Sequence, residues 1–280
     1  MIPLEKALKK YEKHLIKEGK SPNTIKAYTR DIKNSFNSAL KVDELDQEKI
    51  EKFKKELKVN DSARQTIARK LNSIKSFLTY LKENDYISEI PEIDFGSTTV
   101  NLRKPKILDR SDYLVLRETA GEDMISYTII ELLLQTGIKI GELAKLKLED
   151  ISLLAKPTID LHDRTIKINS KAKLILKEYI KHYHREKDKT KPLFYTSNGK
   201  QIHVRNIRLL IDNIFKKVDL EHYSVNDLRN TFIISQLEAG LSIELVSELV
   251  GHKNLLTTKR YLDLLAGKYK RSTLKHPVEI

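Results

Sequence analysis

The side chains in this 280-residue sequence with a capacity for chemistry are mostly cationic, and Arg229 among them has a telling position. Ser224-Val225-Asn226-Asp227 resembles a capping box with Asp in place of Glu, so Arg229 falls just inside a helix N-terminus. Unpaired backbone N–H groups and the helix dipole welcome a phosphate at such a place, and a planar guanidinium can hold two of its oxygens at once. Lys and Arg together number 52 against 39 Asp and Glu. Residues 1–90 carry 20 basic and 14 acidic side chains and residues 91–280 carry 32 and 25, so no single tail causes the excess. A polyanion contacted by both regions would account for this balance, as would a lysine-rich solvated surface. Cysteine is absent, which excludes disulfide frameworks, thiolate metal sites and cysteine nucleophiles, and fits a reducing compartment.

The elements that must position such groups are mostly helical, since Gly and Pro make up only 9 and 7 of the residues. Leu4, Leu8, Tyr11 and Leu15 recur at the spacing of one helical face. Ser21-Pro22 reads as N-cap and first helical residue of a second helix with the stripe Ile25, Tyr28, Ile32, Phe36. A third helix spans about 46–57 with Ile50, Phe53 and Leu57 inward, and a fourth, capped near Asp61-Ser62, carries Ile67, Leu71, Ile74, Phe77 or Leu78, and Leu81. Four helices with short connections make a small bundle over residues 1–90.

Residues 91–106 hold Pro, Gly, Ser and Thr without a helical stripe and read as a linker, leaving 107–280 as a second domain. There Ser111-Asp112 is expected to cap a helix, and Asp123 to Thr136 is apolar enough to cross the second core, ending at Gly137. Thr158-Ile159-Asp160-Leu161 and Thr165-Ile166-Lys167-Ile168 flank His162-Asp163-Arg164 as a short β-hairpin. Ser170 is expected to cap the next helix, Leu193-Phe194-Tyr195 to be extended and 204–218 to be helical. The fold class is therefore mainly α with a small β-hairpin or sheet. The apolar stretch Met124 to Ile140 includes Glu131, Gln135 and Lys139 and falls short of a membrane span, and no secretory signal opens the sequence, so a cytoplasmic protein with no membrane partner is expected.

Four segments in order resemble the tyrosine recombinases, or phage-type integrases, of the Xer group. They are Thr136-Gly137-Ile138-Lys139-Ile140-Gly141-Glu142-Leu143, Val225-Asn226-Asp227-Leu228-Arg229-Asn230-Thr231-Phe232, Leu249-Val250-Gly251-His252 and Thr257-Thr258-Lys259-Arg260-Tyr261. Ser21 to Tyr28 and Ile67 to Phe77 are similar to that family's helical, DNA-gripping core-binding domain. The resemblance implies two domains closing on duplex DNA, and strand exchange in which a tyrosine hydroxyl attacks a phosphate and forms a 3′-phosphotyrosyl link, with neither metal nor nucleotide cofactor. It also implies a homo-oligomer on DNA, joined through a C-terminal segment that docks on a neighbour. Leu262 to Ile280, with Leu264, Leu265, Tyr269 and Leu274, is the matching stretch, and a frayed basic tail is the alternative reading.

By this resemblance Tyr261 is the nucleophile, nine residues after His252, while Arg229 holds the phosphate and His252 donates a hydrogen bond to it. Lys139 stands where the family has its first arginine, and it keeps the charge without the fork. Asn226 stands where His or Lys is usual and Asn230 where a His often follows the Arg; neither amide can titrate. The hairpin turn that carries a catalytic lysine in the family has shrunk, with Lys156, Lys167 and Arg164 as the basic residues near it. Each lost donor costs about 10²- to 10³-fold in rate. Two readings follow, an active recombinase with a weakened site and a degenerate relative that binds DNA and modulates an active partner; an unrelated basic helical regulator is a third.

Overall fold

A computed structural model describes residues 2–36, 40–59, 64–91, 104–184 and 188–265. The chain divides into two compact units, Met1–Arg103 and Lys104–Ile280. Most of the linker stretch, together with Asp61-Ser62, Tyr269 and Leu274, lies outside the described residues.

The first unit is built from α1 (Leu4–Lys17), α2 (Pro22–Ser35), α3 (Gln47–Val59) and α4 (Arg64–Glu83). The apolar stripes decide which faces meet: Leu4, Leu8, Tyr11 and Leu15 of α1 are buried with Ile25 and Ile32 of α2, Ile50 and Phe53 of α3, and Ile74, Phe77, Leu78 and Leu81 of α4. Both Phe77 and Leu78 turn inward. Ser21 caps α2 by accepting from the Thr24 N–H at 3.1 Å. Burying the Asp31 carboxylate would be costly without partners, and it accepts from Arg69 and, at 3.2 Å, from Ser73 Oγ, which ties α2 to α4.

The second unit places α6 (Met124–Thr136) at its centre, against α5 (Arg110–Ala120), α8 (Ser170–Tyr183), α9 (Val204–Lys217) and α10 (Val225–Glu238). Ile129, Ile130, Leu132 and Leu133 are buried around the circumference of α6, as its near-continuous apolar sequence requires. The short α7 (Ile140–Leu143) follows, and α11 (Ile243–Val250) and α12 (Leu255–Lys259) complete the helices. The sheet is antiparallel with order β1-β2-β3: β1 (Ile151–Ser152), β2 (Thr158–Asp160) and β3 (Thr165–Lys167). Ile159 pairs with Ile166, so the expected hairpin forms in the register that buries both, and β1 is added at its edge.

Two caps differ from expectation. Asp109 rather than Ser111 or Asp112 caps α5, accepting from the Asp112 N–H at 2.9 Å, and Asn169 rather than Ser170 caps α8, accepting from the Ala172 N–H at 2.9 Å. Leu193-Phe194-Tyr195 forms isolated bridges at its flanks, not a strand. Leu264 and Leu265 lie against the same unit's Phe232, Val246, Val250 and Tyr261. No helix among the described residues is long and apolar enough to cross a membrane.

Candidate active site

The site is assembled where α6, α7, α10, α11 and the hairpin turn meet. Gly137 ends α6 in the left-handed conformation (φ 60°), a geometry that a side chain would strain, and a Cβ there would collide with the Phe232 ring of α10. The close approach lets the Gly137 carbonyl accept from Arg229 Nη1. Two residues on, Lys139 opens α7, and Glu142 reaches back to accept from the Lys139 N–H at 3.0 Å while also pairing with its ammonium at 3.0 Å.

The C-terminus of α11 gathers three cations. Arg164 Nε donates to the Leu249 carbonyl at 3.1 Å, Arg229 Nη2 to the Val250 carbonyl at 2.7 Å and Lys139 Nζ to the Gly251 carbonyl at 3.1 Å. These are among the carbonyls a helix leaves unpaired at its end, where the dipole favours positive charge. Gly251 (φ 65°) turns the chain out of the helix and brings His252 beside the cations. The Arg164 guanidinium grips both Glu142 oxygens, Nη1 to Oε1 at 3.1 Å and Nη2 to Oε2 at 2.8 Å.

One carboxylate among three cations leaves the site electropositive. Burial pushes the Glu142 carboxyl up, but hydrogen bonds from Arg164 and Lys139 overcome it and bring the pKa down to about 2. Burial, and then the repulsion of Arg229, Lys139, Arg164 and Arg260, lowers His252 to about 4, so its ring is neutral at pH 7. Burial also lowers Arg229 to about 10, still charged at neutral pH.

Asn254 caps α12 through the Leu256 N–H at 2.8 Å, and the chain then turns Tyr261 inward, where it is 5% exposed. Its ring lies parallel to that of His252 with centroids 6.5 Å apart. Tyr261 Oη donates to Asn230 Oδ1 at 2.7 Å, and Nδ2 of the same amide donates to the Lys106 carbonyl and to Asp227 Oδ1, both at 3.0 Å. His252 Nδ1 is 2.8 Å from Thr258 Oγ1. Burial raises the Tyr261 pKa, so the phenol is protonated at neutral pH.

Of the residues singled out in the sequence, Tyr261, Arg229, His252 and Lys139 therefore come together, with Asn230 bonded to the phenol. Asn226 is exposed on the first turn of α10, and its side chain shares no hydrogen bond with them. Of the three basic residues near the hairpin, Arg164 enters the cluster, whereas Lys156 and Lys167 are exposed. Glu142 was missed: its signal was a carboxylate three residues after Lys139, at the capping-box position.

The chain matches the phage integrase family over residues 105–267 and the phage integrase N-terminal SAM-like domain over residues 8–85. It is 30% identical to the tyrosine recombinase XerC of Thermodesulfovibrio yellowstonii over 286 residues, covering 95% of this chain and 91% of that protein. Its fold is similar to that of the Tn1549 transposon integrase solved with a circular-intermediate DNA, with a TM-score of 0.72 at 19% identity over 95% of this chain and 99% of that one. A lambda integrase dimer bound to a core site is similar with a TM-score of 0.70 at 15% identity, over 91% and 96% of the two chains.

Proposed function

The chain belongs to the phage integrase family as a site-specific recombinase of the tyrosine type, and from that premise we propose that Tyr261 is its nucleophile and duplex DNA its substrate. The observation that carries the assignment is the convergence of Arg164, Arg229 and Lys139 on three successive carbonyls beside His252, with the Tyr261 ring against that histidine. Such a cluster suits a scissile phosphate, whose negative charge increases as a fifth oxygen bonds to phosphorus.

In the reaction Tyr261 Oη leaves Asn230, gives its proton to water and attacks phosphorus. The P–O5′ bond breaks, a 3′-phosphotyrosyl link forms and the departing 5′-oxygen takes a proton from water. A 5′-hydroxyl of another strand then attacks that link, rejoins the DNA and returns the phenol. Arg229 and Lys139 neutralise the non-bridging oxygens and the neutral His252 donates a hydrogen bond to one of them, with the Thr258 hydroxyl fixing its tautomer. Asn226 offers a hydrogen bond but no proton. Neither metal nor nucleotide takes part.

Residues 1–90 form a DNA-binding core domain, 107–280 the catalytic domain, and 91–106 the linker between them. The protein acts on DNA in the cytoplasm as a homo-oligomer on its site, in the manner of the lambda integrase dimer, and the C-terminal segment beyond Leu265 supplies the contact, since Leu264 and Leu265 pack within their own unit. Asparagines at 226 and 230 and a lysine at 139 make turnover slower than a site with titratable groups and a second free fork would give, by about 10²-fold or more.

The test is a nicked suicide version of the duplex that the wild-type protein selects from a random-sequence pool, incubated without Mg²⁺. A protease-sensitive, slower band in a denaturing gel is expected from the wild type and none from Tyr261→Phe, which should bind the duplex equally well. A band that survives Tyr261→Phe would place the nucleophile elsewhere. A second reading, a silent site on a DNA-binding protein, is favoured by the engagement of the phenol with Asn230, and a wild type that binds but gives no band would select it.

A further inference from the structure

Lys139 Nζ and Arg164 Nη1 share Oε1 of Glu142, and Arg164 Nη2 shares Oε2 with the Lys139 backbone N–H. The carboxylate is thus clamped by the hairpin and itself clamps both the ammonium and the backbone N–H of Lys139. Arg164 is also set against the turn that delivers His252. A Cβ on Gly251 would come within 2.5 Å of Nη1 and 2.8 Å of Cζ, so the guanidinium lies against the glycine, with Nε anchored to the Leu249 carbonyl two residues earlier. The Arg164 side chain is only 9% exposed, while that of Lys139 is 43% exposed. With Nε, Nη1 and Nη2 all engaged, Arg164 is arranged to hold other groups in place, not to reach a strand of DNA.

We propose that Arg164 is a positioning residue of this site: its fork on Glu142 and its bond to the Leu249 carbonyl fix the Lys139 ammonium and the Gly251–His252 turn in the geometry that the phosphate requires. The proposal rests on the recombinase reading for its activity arm. Displacing a catalytic group by about 1 Å costs about 10²-fold in rate, which sets the scale of the effect. A lysine at 164 would keep the charge but could not occupy both carboxylate oxygens and the carbonyl together.

The test uses the full chain and the selected duplex. Arg164→Gln and Arg164→Lys should each lower the rate of covalent adduct formation about 10- to 100-fold, while affinity for the duplex changes less than about threefold. Adding Lys139→Arg to Arg164→Lys returns a fork to Glu142 from the other side and should recover about tenfold beyond what Lys139→Arg alone adds to the wild-type rate. An unchanged rate in Arg164→Gln, or a double variant that gains no more over Arg164→Lys than Lys139→Arg gains over the wild type, would overturn the proposal.

A readout in the free protein separates this from the recombinase reading. The His252 ring is faced by Arg164 from the hairpin, Lys139 from α7, Arg229 from α10, and Arg260 and Tyr261 beyond α12. Followed by proton NMR, its titration midpoint should rise by about half a unit or more in both Arg164→Gln and Arg164→Lys, because a freed turn lets water reach the ring, whereas loss of charge alone would raise it only in Arg164→Gln. If the wild type forms no adduct, the recombinase reading fails while the histidine titration still decides: an unmoved midpoint in the charge-conserving Arg164→Lys overturns the positioning role, a raised one upholds it. If Arg164→Gln does not fold, Arg164→Lys and its double variant decide it.

Discussion

The Tyr261 hydroxyl donates to Oδ1 of Asn230 at 2.7 Å, and that amide is locked from its other end by the Lys106 carbonyl and the Asp227 carboxylate. With Nδ2 committed to two acceptors, Oδ1 has one orientation, and the phenol at rest is held by a group that can accept its hydrogen bond but not its proton. The segment that fixes the amide is itself tied down, by Lys106 Nζ on the His222 carbonyl at 2.8 Å and by the Leu108 N–H on Thr231 Oγ1 at 2.9 Å. The resting position of the proposed nucleophile is therefore set by the chain entering the second unit as well as by α10.

Because Asn230 cannot titrate and His252 stays neutral down to about pH 4, neither contributes an inflection to the rate of adduct formation between about pH 5.5 and 8. Asn230→His places a titratable ring against the phenol. The variant should show a new inflection in that interval, within about one unit of the ordinary histidine value of 6.5, when single-turnover rates are measured across it. A profile matching the wild type would mean that the phenol leaves residue 230 before its proton is lost.

Gly251 is required twice, by its φ of 65° and by the guanidinium lying on it. Gly251→Ala pays for a left-handed alanine, about 1–2 kcal/mol, and pushes Arg164 off its partners. The melting temperature should fall by about 2 to 8 °C. Adduct formation should fall about tenfold or more, beyond what the loss of folded protein explains. Equal losses in stability and activity would reduce Gly251 to a helix stop.

Acid should weaken the fold through two of these groups. The unfolded His252 binds a proton near pH 6.5 and the folded one only near 4, so protons favour the unfolded chain across that window and stability falls as the pH falls through it. Glu142 acts in the same direction lower down: its carboxylate contributes stability above its ordinary value of 4.5 that is lost as the pH drops towards about 2. Urea titrations at pH 7, 5 and 3 should show His252→Gln flattening the loss between 7 and 5, and Glu142→Gln flattening the loss between 5 and 3. Parallel curves for wild type and variants would contradict the assigned shifts.

The helices were legible because their apolar stripes are long: Leu4 to Leu15 and Ile67 to Leu81 repeat over several turns and bury as their spacing demands. The caps of α5 and α8 were misplaced by one to three residues because Asp109, Ser111 and Asp112, like Asn169 and Ser170, are all competent caps, and only backbone geometry chooses among them. β1 is two residues long and leaves no alternation to read. Four of the site residues were visible as a motif, but Arg164 could not be separated from Lys156 and Lys167, because the hairpin register decides which basic side chain faces Glu142 across 22 residues of sequence. The carbonyls of Leu249, Val250 and Gly251 are backbone groups, and Gly251 alone hinted that a helix ended there.

The difference in exposure between Lys139 and Arg164 separates phosphate contact from positioning in a binding experiment that needs no catalysis. Lys139 Nζ uses two of its three donors, on Glu142 and the Gly251 carbonyl, and its side chain is 43% exposed, so one N–H remains for a phosphate oxygen. Each phosphate neutralised releases counterions and contributes about 0.9 to the slope of log affinity against log salt. Lys139→Gln should therefore weaken duplex binding at low salt and reduce that slope by about 0.9. Arg164→Gln, whose parent side chain is 9% exposed and committed to protein acceptors, should leave the slope unchanged to within about 0.3, well below the contribution of a single phosphate. A full unit lost in Arg164→Gln would mean that the guanidinium abandons Glu142 for the DNA on binding; an unaltered slope in Lys139→Gln would mean that the ammonium stays with Glu142 and Gly251 when the phosphate arrives.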